Sequence, residues 1–139
     1  MPALLELAER CEQAAGPDRE LDFAIFIALN PGLRQYVRGR GGLVHPMDST
    51  DQRIMANHIP PRYATSLDAA MSLVPEGWRI GGLDASIEGR YSWRLIGPFE
   101  YDIDDAPMGR AEAVAVSADI IRSLSAAALR ARSAIAGGG

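Results

Sequence analysis

Apolar residues recur every three to four positions in four segments of the chain, which is the spacing of one face of an α-helix. Residues suited to capping stand before two of these segments, and glycine or proline follows the first three. The pattern therefore predicts helices over residues 2–15, over Arg19–Leu29 after Asp18, over the stretch from Thr65 and Ser66 to a stop at residues 75–77, and over residues 117–136.

Two neighbouring segments show the alternation that is typical of half-buried β-strands. In residues 91–96, Tyr91, Trp93 and Leu95 fall on one face, and Arg94 falls on the other. Residues 78–84 precede them and contain strand-forming residues on both sides of two glycines. We expect the two segments to pair as a β-hairpin.

The rest of the strand pattern is shorter. Gly97-Pro98 should break the second strand of the hairpin, since proline cannot donate to a sheet ladder. Phe99 and Tyr101 suit a further short strand, and residues 113–116 are either an edge strand or the approach to the last helix. The predicted fold is a single α+β domain over residues 1–139, with a small antiparallel sheet and helices packed on both of its faces.

Residues 31–60 have no sustained period and are predicted to form a long irregular loop. His45, Asp48, Asp51 and His58 in this loop could bind a metal, but their spacing fits no standard zinc or calcium site. We therefore predict no metal site and no cofactor. The last glycines, residues 137–139, are predicted to be a disordered tail.

The composition limits the classes of function. The chain has 139 residues, 47% hydrophobic and 23% charged, with a net charge of −4, which argues against a general nucleic-acid binder. Cys11 is the only cysteine and lies on an apolar stripe, so we expect a small packed side chain and a cytoplasmic protein without an intrachain disulfide. No segment resembles a signal peptide or a membrane span.

The motif search favours binding over catalysis. We find no nucleophile elbow, no metal-binding histidine pair and no dinucleotide-binding fingerprint, so we do not expect an enzyme. Aromatic and arginine side chains beside a helix start could instead hold a nucleotide-like anion. Trp78 and Trp93 could alternatively belong to the core. The candidate ligand-binding residues are Arg62, Tyr63, Thr65, Ser66, Trp78, Tyr91, Trp93 and Arg94.

The central and terminal segments resemble a known family. The resemblance is carried by Pro61-Arg62-Tyr63, by Ser66-Leu67-Asp68-Ala69-Ala70, by Leu73-Val74-Pro75-Glu76-Gly77-Trp78, and by the alanine-rich helix around residues 124–132. Together these segments are similar to the phage ABA-sandwich family, small phage and prophage proteins that mostly have no assigned function. The resemblance implies an α/β/α sandwich.

Two hypotheses for function follow. The first is a non-enzymatic phage or prophage accessory protein that binds a small nucleotide-like ligand, sequestering an immune signal of the host as a counter-defence. The alternative is a protein–protein inhibitor of a host enzyme that acts through the acidic residues at 100–105. The nearly all-apolar segment at residues 23–29 also suggests a homo-oligomer, because such a helix needs burial on several sides. We expect neither membrane binding nor general nucleic-acid binding.

Overall fold

The computed structural model describes residues 4–16, 18–31, 37–38, 43–44, 60–101, 104 and 107–137. The α+β class that the sequence predicts is confirmed. The elements are the helices α1 (Leu4–Gln13), α2 (Arg19–Leu29), α3 (Leu67–Ser72) and α4 (Ile120–Gly137), and the strands β1 (Val37–Arg38), β2 (Leu43–Val44), β3 (Arg79–Asp84), β4 (Tyr91–Tyr101) and β5 (Pro107–Ser117).

The main sheet is antiparallel, with β4 between β3 and β5, and β1 pairs with β2 in a separate ribbon. Trp93 is opposite Ala115 and Leu95 is opposite Ala113, so these four side chains share one face. All four are buried, and we call this side of the sheet the inner face. The predicted hairpin is confirmed, because β3 pairs with β4 in antiparallel register, and its alternation is confirmed, because Trp93 and Leu95 are buried while Arg94 is exposed. Trp93 Nε1 also donates a hydrogen bond to the carbonyl of Ile120 in α4 at 2.8 Å.

The opposite side of the sheet is open to solvent. Val114 and Val116 are 46% and 38% exposed there, so the described helices cover the sheet on one side only. Of the two helical layers that the predicted sandwich requires, the described part of the chain supplies one. We call the open side the outer face; it consists of Arg79, Gly82, Asp84, Ser92, Arg94, Ile96, Arg110, Glu112, Val114 and Val116, with Ile87 and Arg90 of the β3–β4 turn.

Helix α4 is the element around which the described chain packs. Residues 122–129 are all buried, and α1, α3, β4 and β5 all contact this helix. Small side chains in its middle let these neighbours approach closely from several directions. The helical spacing predicts that Ile120 and Ile135 also point inward, but they are 38% and 57% exposed because they lie at the two ends of the helix.

A buried carboxylate attaches residues 60–64 to α2. Asp22 is 1% exposed, accepts a hydrogen bond from the backbone of Ala64 at 3.0 Å, and pairs with Arg19 at 2.8 Å. Arg19 also donates to the carbonyl of Pro60 at 3.2 Å. These contacts satisfy a charge that would otherwise be costly to bury, and they place the segment that leads into α3.

The short helix α3 begins as predicted but packs differently. Ser66 caps it, since its hydroxyl accepts a hydrogen bond from the backbone of Ala69 at 3.2 Å. The helical spacing predicts one apolar face that includes Leu67 and Met71, yet these are 50% and 40% exposed, while Leu73 is buried. With six residues the helix makes less than two turns, so one turn meets α4 and the rest stays in solvent.

The prediction that Gly97-Pro98 ends a strand is wrong. Strand β4 runs on to Tyr101, and the register with β5 shifts between Ile96 and Phe99. A bulge of this kind accommodates a proline inside a sheet, because the residue need not donate to the ladder. β5 is correspondingly long and starts at Pro107, whereas the sequence pattern indicated only residues 113–116.

Two side chains cover part of the edge of β5 that has no neighbouring strand in the described part of the chain. Glu12 of α1 accepts a hydrogen bond from the backbone N–H of Val116 at 2.8 Å, and Arg130 of α4 donates to the carbonyl of Val114 at 3.0 Å. Arg130 and Glu12 also form an ion pair with each other, including a contact at 2.8 Å. The pair satisfies backbone groups that a further strand would otherwise use.

Several predictions fall largely outside the described residues. The four metal-competent residues of the loop at 31–60 lie there, as do Asp102 and Asp105 of the acidic stretch. Within the loop the structure describes the ribbon of β1 and β2, which the sequence pattern did not predict. Gly137 is the last residue of α4, so the predicted disordered tail does not include it; residues 138–139 lie outside the described residues.

Candidate functional site

Two of the predicted ligand-binding residues belong to the core. Tyr63 and Trp93 are 4% and 8% exposed. The carbonyl of Tyr63 accepts a hydrogen bond from Ser125 of α4 at 2.7 Å, and burial raises the pKa of its phenol to about 12. The alternative interpretation, that Trp93 packs between sheet and helix, is therefore confirmed, and neither side chain is presented to a ligand.

Three more predicted residues surround the start of α3. Arg62 and Thr65 are exposed, and the carbonyl of Arg62 accepts the backbone N–H groups of Thr65 and Ser66. The hydroxyl of Ser66 is used as the helix cap. Because the cap already satisfies one free amide of a very short helix, this end offers little to an anion.

The remaining predicted residues lie along β4 and its neighbour. Trp78 is half-buried and packs across Gly97, where an added Cβ would lie 2.9 Å from the indole ring. Tyr91 is half-buried at the start of β4. Arg94 is on the outer face, opposite to Trp93 in direction, so the eight predicted residues do not converge on one site. Of the eight, Arg94 lines cavities that are described below, and the other seven do not.

A cavity of about 490 Å³ lies where the ends of several helices meet, and we call it the helix-end cavity. Its volume is within the range of roughly 300–1,000 Å³ that is usual for small-molecule sites. Six of its lining residues are apolar and two are charged. The lining consists of Leu4, Ala28, Leu29, Pro31, Pro75, Glu76, Arg132 and Ile135.

Residues that terminate helices form part of the walls of this cavity. Helix α2 ends at Leu29, and Asn30 caps it by donating its backbone N–H to the carbonyls of Phe26 and Ile27; Pro31 follows directly. Pro75 comes shortly after the end of α3 in the same way. Since proline directs the chain away from a helix, these breaks leave an apolar space between the ends of α2, α3 and α4.

Arg132 supplies the positive charge of the helix-end cavity. Its Nε donates to the carbonyl of Leu73 at 2.6 Å and its Nη2 to the carbonyl of Ser72 at 3.4 Å, at the C-terminus of α3. Within the described part of the chain, its Nη1 has no hydrogen-bond partner. The guanidinium is thus held in place on one side and keeps donors for an acceptor on the other.

Shallow hollows of about 240, 330 and 430 Å³ lie on the described part of the outer face. Arg94 stands between the two larger ones, and its ion pair with Glu112 is 3.9 Å long, with each side chain about half exposed. Such an exposed pair is held weakly. The hollows are floored by the sheet, so they suit a broad partner better than a small molecule.

The described residues contain little that points to catalysis. Cys11 is fully buried, and burial, followed by the nearby carboxylate of Asp22, raises the pKa of its thiol to about 12, so it is not a nucleophile at neutral pH. In the described ranges no group of three or more histidine, cysteine, aspartate or glutamate side chains could hold a metal ion. No helix in the same ranges is long and apolar enough to cross a membrane.

The sequence did not predict the helix-end cavity. In the sequence pattern, Arg132 is a cation near the end of a predicted helix, and Pro31 and Pro75 are helix stops. The cavity draws its lining from four segments that are distant in the chain, so no local spacing could have indicated it.

Comparisons with known proteins found nothing similar: no protein-family model, no curated protein and no solved structure matches the chain.

Proposed function

We propose that this protein is a non-enzymatic binding protein for a small anion with an apolar body, and that the helix-end cavity is its site. The observation that carries the proposal is the lining itself, six apolar residues around one arginine that is already held by backbone carbonyls. Pockets that combine an apolar lining with a few placed polar groups are the usual form of a ligand site.

The lining also suggests how the ligand would lie. Its apolar part would pack against Leu29 and Ile135, and its negative group would accept hydrogen bonds from Arg132. An anchored guanidinium loses little side-chain freedom on binding, which favours affinity. Glu76 lies at the same cavity, so its carboxylate would oppose a ligand of high negative charge.

We further propose that the ligand is nucleotide-like, with its phosphate on Arg132 and its base in the apolar part of the cavity. The sequence resemblance to phage ABA-sandwich proteins supports this form, because a phage protein that sequesters an immune signal of its bacterial host needs such a site. We therefore propose the helix-end cavity as the ligand site, in place of the residues around Arg62 and Trp78 that the sequence predicted.

A thermal-shift screen would test the proposal. The screen would contain nucleotides, cyclic nucleotides, cyclic ADP-ribose isomers, and simple aromatic phosphates and carboxylates. A ligand at 100 times its Kd should stabilise the fold by about 2.7 kcal/mol. A screen without any stabilising compound would contradict the proposal. A hit confined to aromatic carboxylates would retain the site and overturn the nucleotide form.

Variants locate the site. Ala28→Phe and Ile135→Trp should fill the cavity and abolish binding; Ile135 is 57% exposed, so the fold should tolerate that change. Arg94→Gln on the outer face is the matched control and should leave binding unchanged. A hit that survives both cavity variants and is lost in Arg94→Gln would place the site on the sheet instead.

The protein–protein alternative remains a prediction. Charge reversal at Asp102, Asp104 and Asp105 would test it against a host-protein partner. Asp104 is exposed and has an interaction of its own, and its two neighbours lie outside the described residues.

A further inference from the structure

The outer face exposes apolar side chains that the fold leaves uncovered. Val114 and Val116 on β5 are 46% and 38% exposed, and Ile87 in the adjoining turn is 69% exposed. Ser92 and Ile96 of β4 lie beside them and are half-buried. Contiguous exposed apolar positions of this kind, bordered by charges, are typical of surfaces that bind another macromolecule.

The dimensions of this surface match a single helix. Three strands at about 4.8 Å spacing give a floor about 10 Å across, and an α-helix with its side chains is about 10–12 Å wide. The outward positions from Arg110 to Val116 extend for about 20 Å along β5, which corresponds to a helix of about 13 residues. On the inner face the sheet already packs against a helix, α4.

The charge on this surface selects the partner. Four arginines lie on it, Arg79, Arg90, Arg94 and Arg110, with the carboxylates of Asp84 and Glu112. Arg110 already has an interaction of its own, so we ascribe the attraction of a partner to the other three. The chain as a whole has a net charge of −4, so the outer face is a basic region on an acidic protein. It therefore attracts an acidic partner and disfavours face-to-face association of two copies.

One of the two carboxylates is already engaged. Asp84 accepts a hydrogen bond from the backbone of Ser86 at 2.8 Å, and bonds from the Ser86 backbone and side chain hold the pKa of the Asp84 carboxyl below its usual range. Among the described residues, the other carboxylate, Glu112, makes one long contact, to Arg94. An incoming carboxylate could thus pair with Arg94 at little expense to existing contacts.

The closed edge of β5 excludes one alternative mode of binding. A partner strand that extended the sheet at this edge would need the N–H of Val116 and the carbonyl of Val114. Glu12 and Arg130 already occupy both groups. At this position a partner can reach the sheet through its outer face.

From these observations we infer that the outer face is a docking surface for an acidic amphipathic helix of another protein. The apolar side of that helix packs on Val114 and Val116, and its carboxylates meet Arg94. This inference is independent of the helix-end cavity.

A displayed library of helical peptides of about 15 residues, selected on the full-chain protein, tests the inference. The enriched peptides should combine an apolar stripe with a net negative charge. Synthetic copies should bind about tenfold more weakly to Val114→Glu and to Arg94→Glu than to the wild type, and binding should weaken as salt is raised. Leu5→Glu, which changes a residue of α1 that is 52% exposed, is the control and should have no effect.

Other results would contradict the docking of an acidic helix. Failure to enrich any peptide, enrichment of basic peptides, or equal effects of Val114→Glu and Leu5→Glu would overturn the inference. A wild-type dimer in sedimentation that Val114→Glu converts to a monomer would assign the outer face to a second copy and would also overturn it. Ala28→Phe should not alter peptide binding, which separates this test from that of the helix-end cavity.

Discussion

Cys11 and Tyr63 are buried side chains whose charged forms the core disfavours. Burial, aided by the carboxylate of Asp22, raises the pKa of the Cys11 thiol from 9.0 to about 12, and burial raises that of the Tyr63 phenol from 10.0 to about 12. Both groups therefore stay neutral in the folded protein at pH values where the unfolded chain loses protons.

These shifts predict a loss of stability in alkali. Below about pH 9 the folded and the unfolded protein both keep the protons of these two groups, so stability does not change with pH. At higher pH the groups ionise first in the unfolded protein. The free energy of unfolding therefore falls by up to about 1.4 kcal/mol per pH unit for each group until about pH 12. Urea unfolding at about pH 8 and about pH 10.5 measures this, and Cys11→Ala should reduce the difference. Equal stability at the two pH values would show that the folded protein does not raise the pKa values of Cys11 and Tyr63.

Local signals at single residues were predicted well, and contacts between distant residues were not. Asp18 caps α2 by accepting a hydrogen bond from the backbone of Leu21 at 3.0 Å, and Ser66 caps α3, as their positions before the helices indicate. A cap involves residues three apart in sequence, so the sequence contains both partners. Trp93, by contrast, bonds to Ile120, 27 residues away, and no spacing reveals that.

At the scale of elements, the edge of β5 depends on two helices. Burial acts to raise the pKa of the Glu12 carboxyl, but hydrogen bonds from Arg130 and from the backbone of Val116 outweigh it and hold the pKa below its usual range. The carboxylate thus stabilises the fold above its ordinary pKa, and this contribution is lost as the pH falls through the lowered value.

Glu12→Gln should therefore destabilise the protein by about 1–2 kcal/mol at neutral pH, because the charge-assisted bonds to Arg130 and Val116 are weakened. The matched control is Glu9→Gln, an exposed residue of the same helix, which should change stability by less than about 0.5 kcal/mol. Urea unfolding measures both, and the difference should shrink below about pH 4. Equal effects of the two variants would show that the ion pair is not significant.

The two strand predictions that failed share a physical cause. Gly97-Pro98 reads as a strand end, and the segment before residue 113 has weak alternation. Both lie in β4 and β5, which are long because each supports the other through a register that shifts at the proline. Pairing between strands is a tertiary interaction, and it overrides local propensity.

For the whole molecule, the main result is a sheet in which β4 and β5 bury one face and leave the other open, while Ile80 and Leu83 of β3 are partly exposed on the inner face. Leu95 on the inner face is fully buried, whereas Val114 on the outer face is about half exposed. The apolar side chains of helix α2 are buried or half-buried in the single chain, so packing within the chain accounts for part of the apolar composition that suggests a homo-oligomer.

A pair of substitutions distinguishes the two faces. Leu95→Ala should cost about 2–5 kcal/mol of stability, since it leaves a cavity in the core. Val114→Thr should change stability by less than about 0.5 kcal/mol, because its side chain is not enclosed. Chemical denaturation of the isolated protein measures both values. A loss above about 1.5 kcal/mol for Val114→Thr would mean that the outer face is covered in the isolated chain.

The amino-acid sequence by itself determined the α+β class, the bounds of α2, the capped start of α3, the hairpin of β3 and β4, and the packed state of Cys11. These features follow from periodicity, caps and turns, which act between residues close in the chain. The tertiary structure alone decided the central position of α4, the closed edge of β5, the open outer face and the helix-end cavity. Each of these depends on side chains from distant segments, such as Glu12 and Arg130, which are 118 residues apart, meeting only when the chain has packed.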